Sequence, residues 1–170
     1  MWQYTGTERP HFAEVPDSGQ ESVWDYPRPP ALVRSDARVE VFHGRQLLAA
    51  TRSALRVLET ASPPTYYLPG ECIDWELLVQ SQGSSYCEWK GEATYWSLAG
   101  SAGGEAVGWS YERPSGDFAA IAGFLSFYPA RVACFLDGER VRPQPGGFYG
   151  GWVTDSVVGP FKGEPSTGHW

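Results

Sequence analysis

Cysteine is scarce: Cys72, Cys87 and Cys134 are the only three in 170 residues, and no two stand in CxxC spacing. An odd, dispersed set argues against a disulfide framework and against a thiolate zinc site. Histidine is equally scarce, and His11, His43 and His169 are too scattered to form a ligand cluster. No metal and no cofactor is expected. Basic residues are outnumbered 13 to 20, for a net charge of −7. Nucleic-acid proteins usually present a basic face, so no nucleic-acid partner is expected. Long apolar runs are missing, and Met1-Trp2-Gln3-Tyr4 opens nothing like a signal peptide. The chain reads as soluble and cytoplasmic, with no membrane partner. Phosphate-handling motifs are lacking too, since there is no GxxxxGK loop. Asp74-Trp75-Glu76 has the carboxylate spacing of two-metal nucleotidyl transfer, but no Gly-Ser precedes it, and Gly83-Ser84 lies on the wrong side.

What is abundant points to β structure. Aromatics make up 15% of the chain, beside 20 glycines and 14 prolines, a balance that favours short strands and turns over long helices. One domain of this length buries a substantial core. The richest stretch is Tyr86-Cys87-Glu88-Trp89-Lys90-Gly91-Glu92-Ala93-Thr94-Tyr95-Trp96, which reads as two strands around a tight connection. With Lys90-Gly91 as a two-residue turn, Tyr86 lies opposite Tyr95 and Glu88 opposite Ala93. Cys87, Trp89, Glu92 and Thr94 then share the other face. A third run puts Val107, Trp109 and Tyr111 on one side. Together these make a small antiparallel sheet with one heavily aromatic face.

Residues 1–36 form a polar, proline-punctuated N-terminal extension. Within it, 21–30 docks through Trp24 and Tyr26 on a proline-fixed backbone that loses little entropy; 1–20 is left open. The core domain spans 37–142. Arg38-Val39-Glu40-Val41-Phe42 and Gln46-Leu47-Leu48-Ala49-Ala50 make a hairpin around His43-Gly44-Arg45. Residues 53–60 read as a short helix or turn, with Ser53 as cap and Leu55 and Leu58 inward. Thr65-Tyr66-Tyr67-Leu68 is a strand, 73–78 fits a one-turn helix or a strand, and 99–106 is a small-residue loop. Residues 118–127 carry helix-spaced apolar positions limited by Gly123 and Pro129. A last hairpin, 131–136 and 139–142, turns at Asp137-Gly138 and echoes the first. The pair suits a two-sheet architecture, flanking a central sheet. Beyond it, 143–170 is rich in glycine and aromatics. Phe148, Tyr149, Trp152, Phe161 and Trp170 wrap the core or meet a partner chain, such as a second copy in a homodimer.

Several pieces carry a family resemblance in the right order. They are Ala54-Leu55-Arg56-Val57-Leu58-Glu59, Pro63-Pro64-Thr65-Tyr66-Tyr67-Leu68-Pro69, the stretch from Cys87 to Trp96, and Trp109-Ser110-Tyr111-Glu112. Phe127-Tyr128-Pro129-Ala130-Arg131-Val132 and Asp137-Gly138-Glu139-Arg140-Val141 complete the set. Over roughly 38–141 the chain resembles the domain of unknown function 427 family, which also carries a nucleotidyltransferase-like label; its flanks resemble extensions of longer bacterial members. The resemblance implies a β-tent: two antiparallel sheets packed at an angle, with one or two short helices and a cleft along the open side. Related tents often hold zinc through paired CxxC motifs, which this chain lacks, and some relatives cage a small ligand with tryptophans. Fold alone does not fix function.

The candidate site follows from the aromatic sheet. Tyr66, Tyr67, Tyr95, Trp96, Trp109 and Tyr111 offer rings and hydroxyls for a ligand, or else fill the core. Lys90 is an anion clamp, a base or a Schiff-base amine, against the alternative of a solvent-facing turn lysine. Cys87 is a nucleophile or a small packing residue. Glu59 moves protons, neutralises Arg52 or Lys90, or rests on a surface. Two uses of the cleft remain: binding of a small aromatic or nucleotide-like molecule, and an enzyme site in which Lys90, Tyr67, Glu59 or Cys87 does the chemistry. A protein-interaction module is a third.

Overall fold

The computed structural model of the chain describes residues 1–101 and 104–170. In chain order the strands are β1 (Glu21–Ser22), β2 (Ala31–Arg34), β3 (Val39–His43), β4 (Gln46–Thr51), β5 (Leu55–Leu58), β6 (Thr65–Tyr67), β7 (Leu78–Cys87) and β8 (Gly91–Leu98). The second half adds β9 (Gly108–Ser110), β10 (Leu125–Phe127), β11 (Ala133–Leu136), β12 (Glu139–Arg140), β13 (Arg142–Pro143), β14 (Trp152–Val153) and β15 (Val157–Val158). Among the described residues, helix is confined to isolated 3-10 turns. The protein is mainly β, as its composition indicates. Of the expected small-residue loop 99–106, residues 102 and 103 lie outside the described ones.

Two four-stranded antiparallel sheets dominate, ordered β12-β11-β3-β4 and β10-β9-β8-β7. The similar hairpins do not flank a central sheet. They lie side by side in one, with Cys134 opposite Val41 and Leu136 opposite Val39. Alternation explains this: Val39, Val41, Cys134 and Leu136 are buried in a single layer and need the same apolar cover. Asp137 and Gly138, both at positive φ (48° and 83°), close the second hairpin in the two-residue geometry that matches strand twist. A three-stranded sheet, β2-β5-β6, joins the second large sheet edge to edge. There Leu68 and Leu125 exchange both backbone hydrogen bonds, at 2.8 and 2.9 Å. One face of this extended sheet covers the first core with Leu68, Leu78, Leu125 and Phe127. Its other face carries a second cluster of Tyr67, Ala93, Trp109, Tyr111 and Phe118.

Three local expectations change. Leu55-Arg56-Val57-Leu58 is a strand and not a helix or turn, because it is the middle strand between β2 and β6 and finds ladder partners on both sides. One helical turn satisfies few of its own hydrogen bonds. Residues 118–127 divide at Gly123, whose φ of +73° ends the 3-10 turn Gly116–Ile121 before β10 begins. The central hairpin has a different register: Cys87 pairs with Gly91 and Tyr86 with Glu92, leaving a Glu88-Trp89-Lys90 loop. The loop is held from outside, by Ser115 donating its N–H to the Lys90 carbonyl and its hydroxyl to that of Trp89, both at 3.2 Å. The change in register is odd. Cys87 and Tyr95 therefore share a face.

Both flanking segments lie against these sheets. Trp24 is fully buried among Tyr4, Phe12 and Trp170, and Trp152 stacks on Tyr66 at 5.0 Å. Strand β1 pairs in parallel with β15, bringing the two flanks together. Glu21 accepts hydrogen bonds from Arg56 at 2.8 and 3.3 Å and from the Tyr26 hydroxyl at 2.9 Å. The guanidinium holds this carboxylate below its ordinary value of 4.5. Such a group contributes stability above its unfolded value, lost as pH falls through the folded one. Glu21→Gln is therefore expected to lower the urea midpoint at neutral pH, with the gap to wild type closing as pH drops below 4.5. A gap unchanged across that acid window would remove this ion pair from the stability account.

Candidate functional site

The second cluster does not close on itself. A cavity of about 540 Å³ opens between β5–β6 and the aromatic face of β8–β9. Val57, Glu59, Thr65 and Tyr67 line one wall; Cys87, Lys90, Tyr95, Trp109 and Tyr111 line another. Tyr128 and Arg131 close an end, and the 147–150 segment of the C-terminal flank borders the mouth. A depression of similar volume lies over the β7 bulge, lined by Gln80, Ser81, Gln82, Ser84, Glu92 and Thr94. It is more open and has neither aromatic nor cationic lining, so it offers little to hold a ligand.

Strand parity decides which aromatics reach the cavity. Tyr95 and Trp109 are cross-strand partners on one face, and Tyr67 meets them from β6. Trp109 donates its indole N–H to the Tyr67 hydroxyl at 3.1 Å, with the rings edge to face. The chain neighbours Tyr66 and Trp96 point the other way. Tyr66 lies in the first core against Trp152. Trp96 packs on Trp75 at 4.8 Å and donates to Ser110 Oγ at 2.9 Å. The structure thus groups Lys90, Tyr67, Glu59, Cys87, Tyr95, Trp109 and Tyr111, and sets Tyr66 and Trp96 apart.

Electrostatically the cavity is positive. Lys90 is only 9% exposed, so it is not a solvent-facing turn residue. Its ammonium stands 5.8 Å from the Tyr111 ring centre and 5.6 Å from that of Phe118. Burial works against the charge, but Tyr67, Cys87 and Glu59 outweigh it and raise Lys90 above the ordinary lysine value. Among the described residues its ammonium makes no ion pair. Glu59 pairs with Arg28 at 3.2 Å, an arginine also bonded to the carbonyls of Tyr4 and Thr60. Arg131 lies over the Tyr128 ring at 4.2 Å and meets exposed Glu105 at 3.4 Å. Burial raises the phenols of Tyr67 and Tyr111 and pushes Tyr128 up to about 12. At neutral pH the phenols of Tyr67, Tyr111 and Tyr128 and the Lys90 ammonium are all protonated, beside the Glu59 carboxylate held by Arg28. Among the described residues no three His, Cys, Asp or Glu side chains converge as a metal site.

Tyr128, Arg131, Phe148 and Tyr149 were not among the sequence-derived site residues. Arg131 three places after Tyr128 carries a weak signal, a cation within reach of a ring. Nothing local places 147–150 here.

The thiols give a direct check on access. Burial raises Cys134, and it pushes Cys72 up to about 11, whereas Cys87 borders the cavity. Iodoacetamide at pH 8 is expected to alkylate Cys87 well ahead of the other two, as read by peptide mass spectrometry. Equal rates at all three would mean that Cys87 is not reachable through the opening.

No curated protein matches the chain. A family model described as Domain of unknown function (DUF427) matches residues 31–138, from β2 to the turn after β11. That span is more than half of the chain and contains most of the cavity wall, and the protein belongs to this family.

Proposed function

We propose that the protein binds a small aromatic or nucleotide-like molecule carrying an anionic group. One observation carries this reading: a buried ammonium, without an ion-pair partner among the described residues, lines a cavity rich in aromatic rings. Rings supply stacking surface and the ammonium supplies orientation and charge. Glu59, a carboxylate lining the cavity, is paired with Arg28, so the field favours an anion and disfavours a cationic guest. The enzyme alternative rests on Glu59 and Cys87 in the same cavity. Binding ranks above it because Lys90 and the phenols stay protonated at neutral pH and none is poised as a base.

The same reading divides the chain into a core of 37–142 with flanks 1–36 and 143–170, the second flank completing the site. Free thiols at Cys72, Cys87 and Cys134 suit a reducing cytoplasm. Among the described residues no helix is long and apolar enough to cross a membrane.

Thermal-shift and tryptophan-fluorescence titrations against nucleotides and aromatic acids test the proposal. A ligand that fills the cavity is expected to raise the melting temperature by mass action. It is also expected to change the emission of Trp109, a response lost in Trp109→Phe. If every aromatic anion leaves both signals flat while an aromatic cation moves them, the charge assignment fails.

A further inference from the structure

We propose that Phe148 and Tyr149 form an aromatic clamp that closes over the cavity mouth, and that the guest is a planar ring bearing a phosphate or a carboxylate. This rests on the binding function just proposed and names its ligand class and a specificity device.

The two rings are conspicuous because they are left in water. Phe148 is 77% exposed and Tyr149 43% exposed, although Trp152, Phe161 and Trp170 of the same flank pack against the protein. Large apolar side chains side by side at the surface of a chain usually mark a contact yet to be made. Both border the cavity, and their rings meet edge to face at 4.9 Å.

Their supports are fixed and their tip is free. A Cβ on Gly146 would stand 1.9 Å from the Gly163 carbonyl oxygen, and one on Gly150 would stand 2.3 Å from the Trp109 ring. Neither foot accepts a side chain. Gln144 ties them further: its Oε1 accepts the Gly151 N–H at 3.0 Å and its Nε2 donates to the Lys162 carbonyl at 2.6 Å. Between these feet lie Gly147, at φ +73° with open space around it, and the two aromatic residues. Pinned ends and a glycine at the start of the tip allow a short swing, as hinged loops over sites require.

Charge narrows the guest. Lys90 and Arg131 both line the cavity; Arg131 meets exposed Glu105 and Glu59 is held by Arg28, which leaves the Lys90 ammonium to set the sign. Aromatic cages that take quaternary ammonium ligands lack such cations. A flat ring held on the Trp109 and Tyr95 wall leaves one face for Phe148 or Tyr149 to cover, and its acid group meets Lys90.

Calorimetric titration of the full chain tests this with two ring-bearing probes, AMP and indole-3-acetate, against the ringless ribose 5-phosphate and acetate. The wild-type protein is expected to hold at least one ring-bearing probe tenfold or more tighter than its ringless counterpart. Which one it holds separates phosphate from carboxylate. Phe148→Ala/Tyr149→Ala, which removes exposed rings and leaves the melting temperature near wild type, is expected to weaken that probe about tenfold, in the range of one lost stacking contact. The ringless acids are expected to be unaffected. Unchanged ring preference in the double variant overturns the clamp and spares the binding function. Failure of wild type to hold either ring-bearing probe overturns the ligand class and the binding reading together. A wild-type dimer that the double variant disperses would assign these rings to a second copy and likewise overturn the clamp.

Discussion

Replacing Lys90 by methionine is expected to weaken binding of an aromatic anion about ten- to a hundredfold, the worth of a charge-assisted hydrogen bond in a sheltered site. The ammonium is nearly enclosed, lies among the rings of Tyr111 and Phe118, and makes no ion pair among the described residues. On the proposed reading, a guest's acid group would supply the counter-charge. Stability at neutral pH should change little, because methionine fills the space of the lysine stem among the same rings. Calorimetry and a thermal melt on the same preparation therefore separate loss of binding from loss of fold. Affinity retained within twofold would take Lys90 out of the site.

Trp24→Ala is expected to be the most damaging single change to stability, at about 3–5 kcal/mol. For a domain of this size that corresponds to a melting temperature lower by roughly 10 °C. Trp24 has no exposure, meets Tyr4, Phe12 and Trp170 at 5.2, 5.3 and 5.2 Å, and donates its indole N–H to the Pro160 carbonyl at 3.2 Å. Truncation leaves a cavity where both flanking segments meet and removes a donor from the half-buried Pro160 carbonyl. Calorimetric unfolding measures the loss, and limited proteolysis shows whether 1–30 is cleaved first. A cost under about 1 kcal/mol would place both flanks outside the cooperative unit.

The sequence disclosed what local pattern dictates. Asp137-Gly138 between alternating runs specifies a hairpin by turn chemistry, and Val39 and Val41 fix which face is buried. It misled where distant chain decides. Leu55–Leu58 has apolar spacing that suits a helix as well as a strand, and only the β2 and β6 partners settle the matter. The register at Gly91 depends on Ser115, more than twenty residues away, whose bonds to Trp89 and Lys90 open the loop. That register turns Cys87 and Tyr95 to the same face, and the separate β8–β9 pairing sets Trp109 beside Tyr95. Tyr66 and Trp96 lost their place by parity alone, each beside a residue that does face the cavity. Tyr128, Arg131 and the 147–150 segment arrive by tertiary contact, and no periodicity announces such an arrival.

The Arg28–Glu59 pair carries a consequence beyond its own two residues. Arg28 and the 147–150 segment both fall outside the 31–138 span that defines the family match. A chain trimmed to that span would keep the Lys90 ammonium but expose Glu59 as an unmatched acid, and the hollow would turn toward neutrality while gaping on one side. On the proposed binding reading, selectivity would be conferred by appendages: the family-matched span supplies most of the chamber, and the two ends of the polypeptide would set its polarity and its door.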